Sequence, residues 1–196
     1  MAYAVWSVVF GEQPTAAKWN ILGTNDASFH DGTGIDDGVI GSRQLITGAV
    51  VQVVATEYTA VVTGAGAIPF DDTIPQNTEG LELMTQAITP KSATNILVIE
   101  VELMMGVSIN SQRIAALFRD STSNAIAAKS TYVGNWTDPA VLTLTSIVTA
   151  GSISSTTFKV RGGCESAGTV TMNGLSGTRK FGAIAKSSIK ITEYKA

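Results

Sequence analysis

The stretch Asn95-Ile96-Leu97-Val98-Ile99-Glu100-Val101-Glu102-Leu103-Met104-Met105 decides the fold. Every second residue in it is apolar, which is the spacing of side chains on one face of a β-strand. The residues of that face are Leu97, Ile99, Val101, Leu103 and Met105. The opposite face is also largely apolar, because it carries Ile96, Val98 and Met104 beside two glutamates. A sandwich buries only one face of such a strand, so the second face predicts an interface, and a closed cyclic homo-oligomer would cover it economically.

The same period of two recurs on both sides of this strand. Further strand faces are predicted at Leu81 and Leu83, at Leu142, Leu144 and Val148, at Phe158 and Val160, at Val170 and Met172, and at Ile189 and Ile191. Residues that favour turns separate these segments, and Arg161-Gly162-Gly163 is predicted to be one such turn. Seven to nine short strands with no long helical period predict an all-β, antiparallel β-sandwich of the jelly-roll type.

The first 45 residues differ in composition and hydrophobic pattern from the rest of the chain. Pro14 and Gly23 favour the start and stop of a short helix, and a stretch rich in turn formers follows it. Residues 1–45 have too few apolar side chains for a core, so we predict an irregular or helical segment for attachment or trimerisation. Residues 46–66 are predicted to be a short β linker, and residues 67–196 to be the jelly-roll head.

Composition limits the function. The 196 residues carry 13 Lys and Arg against 16 Asp and Glu, for a net charge of −3, and only 15% are charged, which disfavours a nucleic-acid partner. No apolar run approaches the about 20 residues that span a bilayer, so we expect no membrane insertion. Cys164 is the only cysteine, which excludes a disulfide within the chain. The N-terminus lacks the basic start of a signal peptide, so we expect assembly in a reducing host cytoplasm.

Two parts of the chain resemble known proteins. Phe10–Phe29, together with Asp31–Ile35, resembles the opening module of phage tail-fibre and tail-spike proteins. The second half resembles the small trimeric, tumour necrosis factor-like jelly-roll heads of the same proteins. The matching pieces are Ile68–Gln76, Ile88–Ala93, Ala116–Asp120, Ala125–Ala128 and Ser187–Glu193.

The resemblance implies a virion structural protein of the phage tail. With almost nothing between module and head, the chain would be a short tail fibre or a fibre tip. It implies a homotrimer, other tail or baseplate proteins as partners, and host adhesion through a cell-surface glycan or protein. The alternatives are a purely structural trimerisation or decoration protein without receptor binding and, as the lesser alternative, a surface-glycan hydrolase.

One loop is a candidate for receptor binding. Tyr132, Asn135, Trp136 and Asp138 combine aromatic faces with amide and carboxylate groups, a combination suited to sugar recognition. The alternative is a tryptophan packed beneath its own loop.

A second set of candidates concerns attachment and trimer contacts. Its members are the apolar side chains of residues 1–45 and those of the second face of the central strand. They are Trp19, Leu22, Phe29, Ile96, Val98 and Met104.

Catalytic and metal sites are weakly supported. Glu100 and Glu102 would project from one strand face roughly 6 to 7 Å apart, within glycosidase spacing, but a solvated or interface-facing polar stripe is the favoured interpretation, because no cleft former or residue that would tune their pKa accompanies them. His30 is the only histidine, and no Gly-x-Ser-x-Gly elbow accompanies it. We therefore predict a protein that is not an enzyme and has no cofactor. The acidic residues that either bind a cation or form ordinary turns are Asp31, Asp36, Asp37, Asp71 and Asp72.

Overall fold

Two antiparallel sheets make up the part of the protein that the computed structural model describes, which comprises Ala16 and residues 45–135 and 138–196. The strands are β1 Val50–Tyr58, β2 Val62–Ala65, β3 Leu81–Ile88, β4 Ile96–Val107, β5 Arg113–Arg119, β6 Ala127–Thr131, β7 Ala140–Thr149, β8 Thr156–Cys164, β9 Thr169–Met172, β10 Gly174–Leu175, β11 Thr178–Arg179 and β12 Ser187–Tyr194. A single 3-10 turn, Phe181–Ala183, lies between β11 and β12.

The strand order is that of a jelly roll. The larger sheet has the order β1-β12-β4-β9-β2, and β7 pairs with the other edge of β4. The second sheet has the order β3-β8-β5-β6, and β10 and β11 form a small hairpin. All named strand pairs are antiparallel. This arrangement confirms the predicted all-β antiparallel sandwich.

The core lies between the two sheets and follows the predicted alternation. On β4, Leu97, Ile99, Leu103 and Met105 are fully buried, and Val101 is nearly so. They pack against the inward faces of the neighbouring strands. Those faces include Leu142, Leu144, Phe158, Val160, Val170, Met172, Ile189 and Ile191. The burial of this apolar surface is the main stabilising term of the fold.

The predicted turn at residues 161–163 is wrong, because Arg161, Gly162 and Gly163 lie inside β8. The two glycines allow neighbouring side chains to approach the backbone of β8 closely. A Cβ atom on Gly162 would lie 2.6 Å from Leu83 Cδ1 and 2.7 Å from Met105 Sδ. The two glycines therefore let β8 approach its neighbours and do not reverse the chain.

The predicted linker, residues 46–66, contributes two strands to the larger sheet. β1 pairs with β12 along its whole length, and β2 pairs with β9. The chain divides into two units, Met1–Leu45 and Ile46–Ala196, so the sandwich starts before the predicted residue 67. Three site predictions from the first unit lie outside the described residues, and so do its candidate metal and catalytic groups. They are Trp19, Leu22, Phe29, His30, Asp31, Asp36 and Asp37.

The chain enters the sandwich at one end, called here the entry end and formed by residues 46–50, 89–95 and 194–196. Gly48 N donates to Lys195 O at 2.7 Å, which ties the entering chain to the C-terminus. β1 then runs for nine residues, about 30 Å at ~3.3 Å per residue, toward the opposite end. The segments at that opposite end form the loop end of the sandwich. They are residues 108–112, 132–139 and 165–168. Residues 59–61 and 173–186 leave the larger sheet near Met104, and β2 and β9 continue beyond them toward the loop end.

A buried carboxylate holds the entry end together. Glu193 is fully buried, and its Oε1 accepts hydrogen bonds from Lys91 N at 2.8 Å and Asn95 Nδ2 at 2.6 Å. Its Oε2 accepts from Gln52 Nε2 at 2.5 Å, and Ser92 N donates to Oε1 at 3.4 Å. Four uncharged donors from the described residues thus satisfy a buried acid, and they link β1, the turn before β4, and β12. Among the described residues, no helix has the length and apolar character needed to cross a membrane.

Candidate functional site

The outer face of the larger sheet, the side turned away from the core, carries the predicted interface residues. Val98 pairs in register with Ile147 of β7, and Met104 pairs with Val141. Ile147 is 69% exposed and Val141 57% exposed, while Val98 and Met104 are half-buried. On β1, Val53 is also exposed. The outer face therefore has apolar groups at both ends of β4, at the positions that the sequence predicted to need cover.

Ile96, the remaining predicted interface residue, begins the same face. It is half-buried and pairs in register with Thr149 on one side and Tyr194 on the other. The structure thus brings Ile96, Val98 and Met104 onto one face, as the alternation predicted.

Between the two apolar ends of the outer face lies a polar patch. It forms a shallow depression of about 270 Å³. Its lining comprises Glu100, Val101, Glu102, Thr143, Thr145, Ser188 and Lys190. Lys190 Nζ lies 2.7 Å from Glu100 Oε2, and this contact raises the pKa of the Lys190 amine. The two predicted carboxylates do share a face, and one of them is neutralised by a lysine.

The candidate receptor loop, residues 132–138, lies at the loop end. Tyr132 is 54% exposed, and its hydroxyl donates to Asn110 Oδ1 at 3.2 Å. Asn135 and Asp138 are exposed, and Trp136 lies outside the described residues. Tyr132 and Asn110 therefore present an aromatic ring and an amide side by side, on two different loops.

Arg113, which the sequence analysis did not single out, fixes the backbone of this loop. Its Nη2 donates to Asp138 O at 2.6 Å and to Asn135 O at 3.5 Å. The side chain is fully buried, and its Nε and Nη1 have no hydrogen-bond partner among the described residues. Burial lowers the pKa of Arg113, against the opposing influence of Cys164 and Asp138. The feature of the sequence that could have indicated a buried arginine is the position of Arg113 at the start of the largely apolar run Arg113–Arg119.

Cys164 lies opposite Arg113 in the register of β5 and β8. It is a buried free thiol, and burial raises its pKa. A thiol with a raised pKa is a poor nucleophile, so its role is packing.

The acidic pair after Pro69 forms a turn. Asp71 Oδ1 accepts hydrogen bonds from Thr73 N at 2.8 Å and Thr73 Oγ1 at 2.5 Å, and these bonds lower the pKa of Asp71. Asp72 is exposed beside it. Within residues 45–135 and 138–196, no three His, Cys, Asp or Glu side chains converge as metal ligands would.

Comparison with known proteins identifies a family for the sandwich. A sequence profile described as the Pgp3 C-terminal domain matches residues 65–196. No curated protein matches the chain. The match covers most of the described strands and leaves residues 1–64 outside it.

Several solved structures are similar at low identity. The EclA C-terminal domain, described as a sugar-binding protein, has a TM-score of 0.35 and 15% identity over 84% of this chain and 94% of that chain. Dimeric latent PorU from Porphyromonas gingivalis has a TM-score of 0.36 and 7% identity over 76% of this chain and 14% of that chain. The infectious bursal disease virus VP2 subviral particle has a TM-score of 0.32 and 10% identity over 74% of this chain and 38% of that chain.

Proposed function

The chain belongs to the Pgp3 C-terminal domain family, and from this premise we propose that its sandwich is the homotrimeric, non-enzymatic adhesion head of a virion tail fibre. In this proposal residues 1–45 attach the head to other tail or baseplate proteins. The head works on the virion after assembly in the host cytoplasm. It binds a glycan or protein of the host surface.

The observation that carries the proposal is the exposed apolar surface of the outer face. Ile147, Val141 and Val53 are each more than half exposed in a single chain. Fully burying an aliphatic side chain of this size stabilises a protein by about 1.5–3 kcal/mol, so each chain has a strong drive to cover these groups. A three-fold assembly covers the same patch on every copy, as in the heads that the second half of the sequence resembles.

The receptor would bind at the loop end. Tyr132 and Asn110 belong to the loop end, so they lie at the opposite end of the sandwich from the entry end. Three copies of a weak site on one rigid head give avidity without tight binding at any single site.

Light scattering on the full chain tests the assembly. We expect a mass three times 20.4 kDa for the natural sequence. Ile147→Asp should shift the population toward monomer, since it would place a carboxylate in the buried contact. Ile153→Asp is the matched control, because Ile153 is 65% exposed in the turn between β7 and β8. A monomeric natural chain, or equal effects of the two substitutions, would overturn the assembly.

Adsorption to host cells tests the receptor role. Tyr132→Ala should reduce adsorption while the trimer mass is kept, and unchanged adsorption would favour the purely structural alternative. The hydrolase alternative predicts oligosaccharide release that Glu100→Gln abolishes. We expect no release, because Glu100 is exposed and paired with Lys190.

A further inference from the structure

The segment that joins β9 to β12 ends in an exposed apolar and cationic tip, defined here as residues 174–186. Phe181 is 71% exposed and Ile184 is 78% exposed. The tip contains three cationic residues, Arg179, Lys180 and Lys186, and no acidic one, within a chain whose net charge is −3. Exposed aromatic and aliphatic groups among cations are typical of surfaces that touch an anionic partner with an apolar interior.

The base of the tip is held rigidly. Asn173 is fully buried, and its Nδ2 donates to Tyr58 O at 2.7 Å and to Ala60 O at 3.1 Å. Ser187 Oγ donates to Asn173 Oδ1 at 2.8 Å, and Met104 N donates to Ser187 Oγ at 3.0 Å. Asn173 and Ser187 flank the tip, so one buried network fixes both of its ends against β1 and β4.

The turn that carries the apolar groups has an unusual backbone. Phe181, Gly182 and Ala183 have φ values of 52°, 59° and 76°. Only glycine adopts this left-handed region readily, so the turn is strained at Phe181 and Ala183. Ile184 N donates to Phe181 O at 3.1 Å and closes the turn. Strain that leaves two large apolar side chains in solvent does not serve the core, and it points to a binding role.

The cations of the tip differ in their partners. Lys186 Nζ lies 2.5 Å from Glu57 Oε2. Arg179 and Lys180 are exposed and form no salt bridge within the described part of the chain. Arg179 and Lys180 therefore precede Phe181 in the tip with charges that a partner can bind.

We propose that the tip makes peripheral contact with an anionic phospholipid bilayer. Phe181 and Ile184 would enter the interface between headgroups and acyl chains, while Arg179 and Lys180 would bind headgroup phosphates. This contact is separate from the receptor role of Tyr132, and it needs no spanning segment.

Two other occupants fit less well. A second copy of this chain packed tip to tip would bring like charges together, which opposes association. A nucleic acid would use the two cations but would leave Phe181 and Ile184 in water, and two phosphate contacts give little affinity. A bilayer satisfies both the charge and the apolar groups.

Vesicle co-sedimentation with the full chain tests the proposal. We expect binding to vesicles of phosphatidylcholine mixed with phosphatidylglycerol at low salt, weaker binding at high salt, and little binding to phosphatidylcholine alone. Phe181→Ser with Ile184→Ser should weaken binding about tenfold or more, because two apolar groups leave the interface. Arg179→Gln with Lys180→Gln should remove the preference for anionic vesicles.

Matched controls come from elsewhere on the surface. Phe70 is 60% exposed, and Lys129 is exposed on β6, so Phe70→Ser and Lys129→Gln should bind vesicles like the natural chain. Unfolding midpoints of all variants verify that the sandwich is intact.

Three outcomes would overturn the proposal: no binding to anionic vesicles at low salt, equal binding by the tip variants and the natural chain, or a lower oligomer mass for the variant with both Phe181→Ser and Ile184→Ser. Free glycerol phosphate is also added as a competitor. If it abolishes vesicle binding while the variant with both Phe181→Ser and Ile184→Ser binds like the natural chain, the tip is an anion site only, and the bilayer proposal is contradicted. The vesicles contain no host receptor. Failure here therefore leaves the adsorption test of Tyr132→Ala unaffected.

Discussion

Replacing Asn173 with alanine should destabilise the sandwich by about 3–4 kcal/mol. The side chain is fully buried and takes part in three hydrogen bonds, to Tyr58 O, Ala60 O and Ser187 Oγ. Each such bond contributes about 1 kcal/mol net, and the groups left buried without a hydrogen-bond partner would keep the total at about 3 kcal/mol or more. Asn173 also has a φ of 56°, a region that asparagine tolerates better than alanine, which adds up to about 1 kcal/mol.

Urea unfolding at a fixed protein concentration measures this loss, since an oligomer's stability depends on concentration. Asn173→Gly separates the two contributions: it removes the same hydrogen bonds but relieves the backbone, so it should lose about 1 kcal/mol less than alanine. Asn124→Ala, at an exposed position, should change stability by less than about 0.5 kcal/mol. A loss below about 1 kcal/mol for Asn173→Ala would refute the argument that this network holds the base of the tip.

Three further predictions concern buried groups. Glu193→Gln should cost about 2–4 kcal/mol in urea unfolding, because an amide nitrogen would face one of four donors; a neutral result would show that the charge is dispensable. Cys164 should resist a thiol reagent in the native protein and react in urea. Because burial raises the pKa of the folded thiol, the unfolded chain loses this proton at a lower pH, so the free energy of unfolding should fall as pH rises through the thiol range. Gly162→Ala should cost about 1–3 kcal/mol, because its Cβ would approach Leu83 and Met105 to within 2.7 Å, and an unchanged unfolding midpoint would contradict the close-approach reading.

The strands that sequence reasoning predicted share one property: one face is buried and the other is not. β4 shows it best, because Leu97 and Ile99 are buried while Val98 between them is half-exposed in a single chain. β5 lacks that contrast. Its two faces pack into different clusters, Leu117 in the main core and Phe118 against Ile68 on the far side of the sheet. A strand covered on both sides has no period of two, so alternation could not reveal it.

The site was predictable only in part, for a similar reason. The apolar second face of β4 could be predicted because one strand contains it. The clamp of Arg113 on the loop at Asp138 joins residues 25 positions apart, and the network of Asn173 reaches Tyr58 across 115 positions. Such contacts depend on which strands become neighbours, and local sequence does not encode that directly.

The position of the functional candidates follows from the strand order. β1 starts beside the C-terminus at Gly48 and Lys195, and β12 starts at Ser187 opposite the far end of β1. β12 and β9 pair with successive stretches of the same edge of β4, up to Glu102 and from Met105 onward, so the segment between them leaves that edge near Met104, before β4 ends at Val107. The loop before β7, which bears Tyr132, emerges at the loop end, because β7 is antiparallel to β4 and begins opposite Met105. The core is buried between these two ends, so the loop end can change its surface chemistry without altering core packing, as binding loops on rigid scaffolds do.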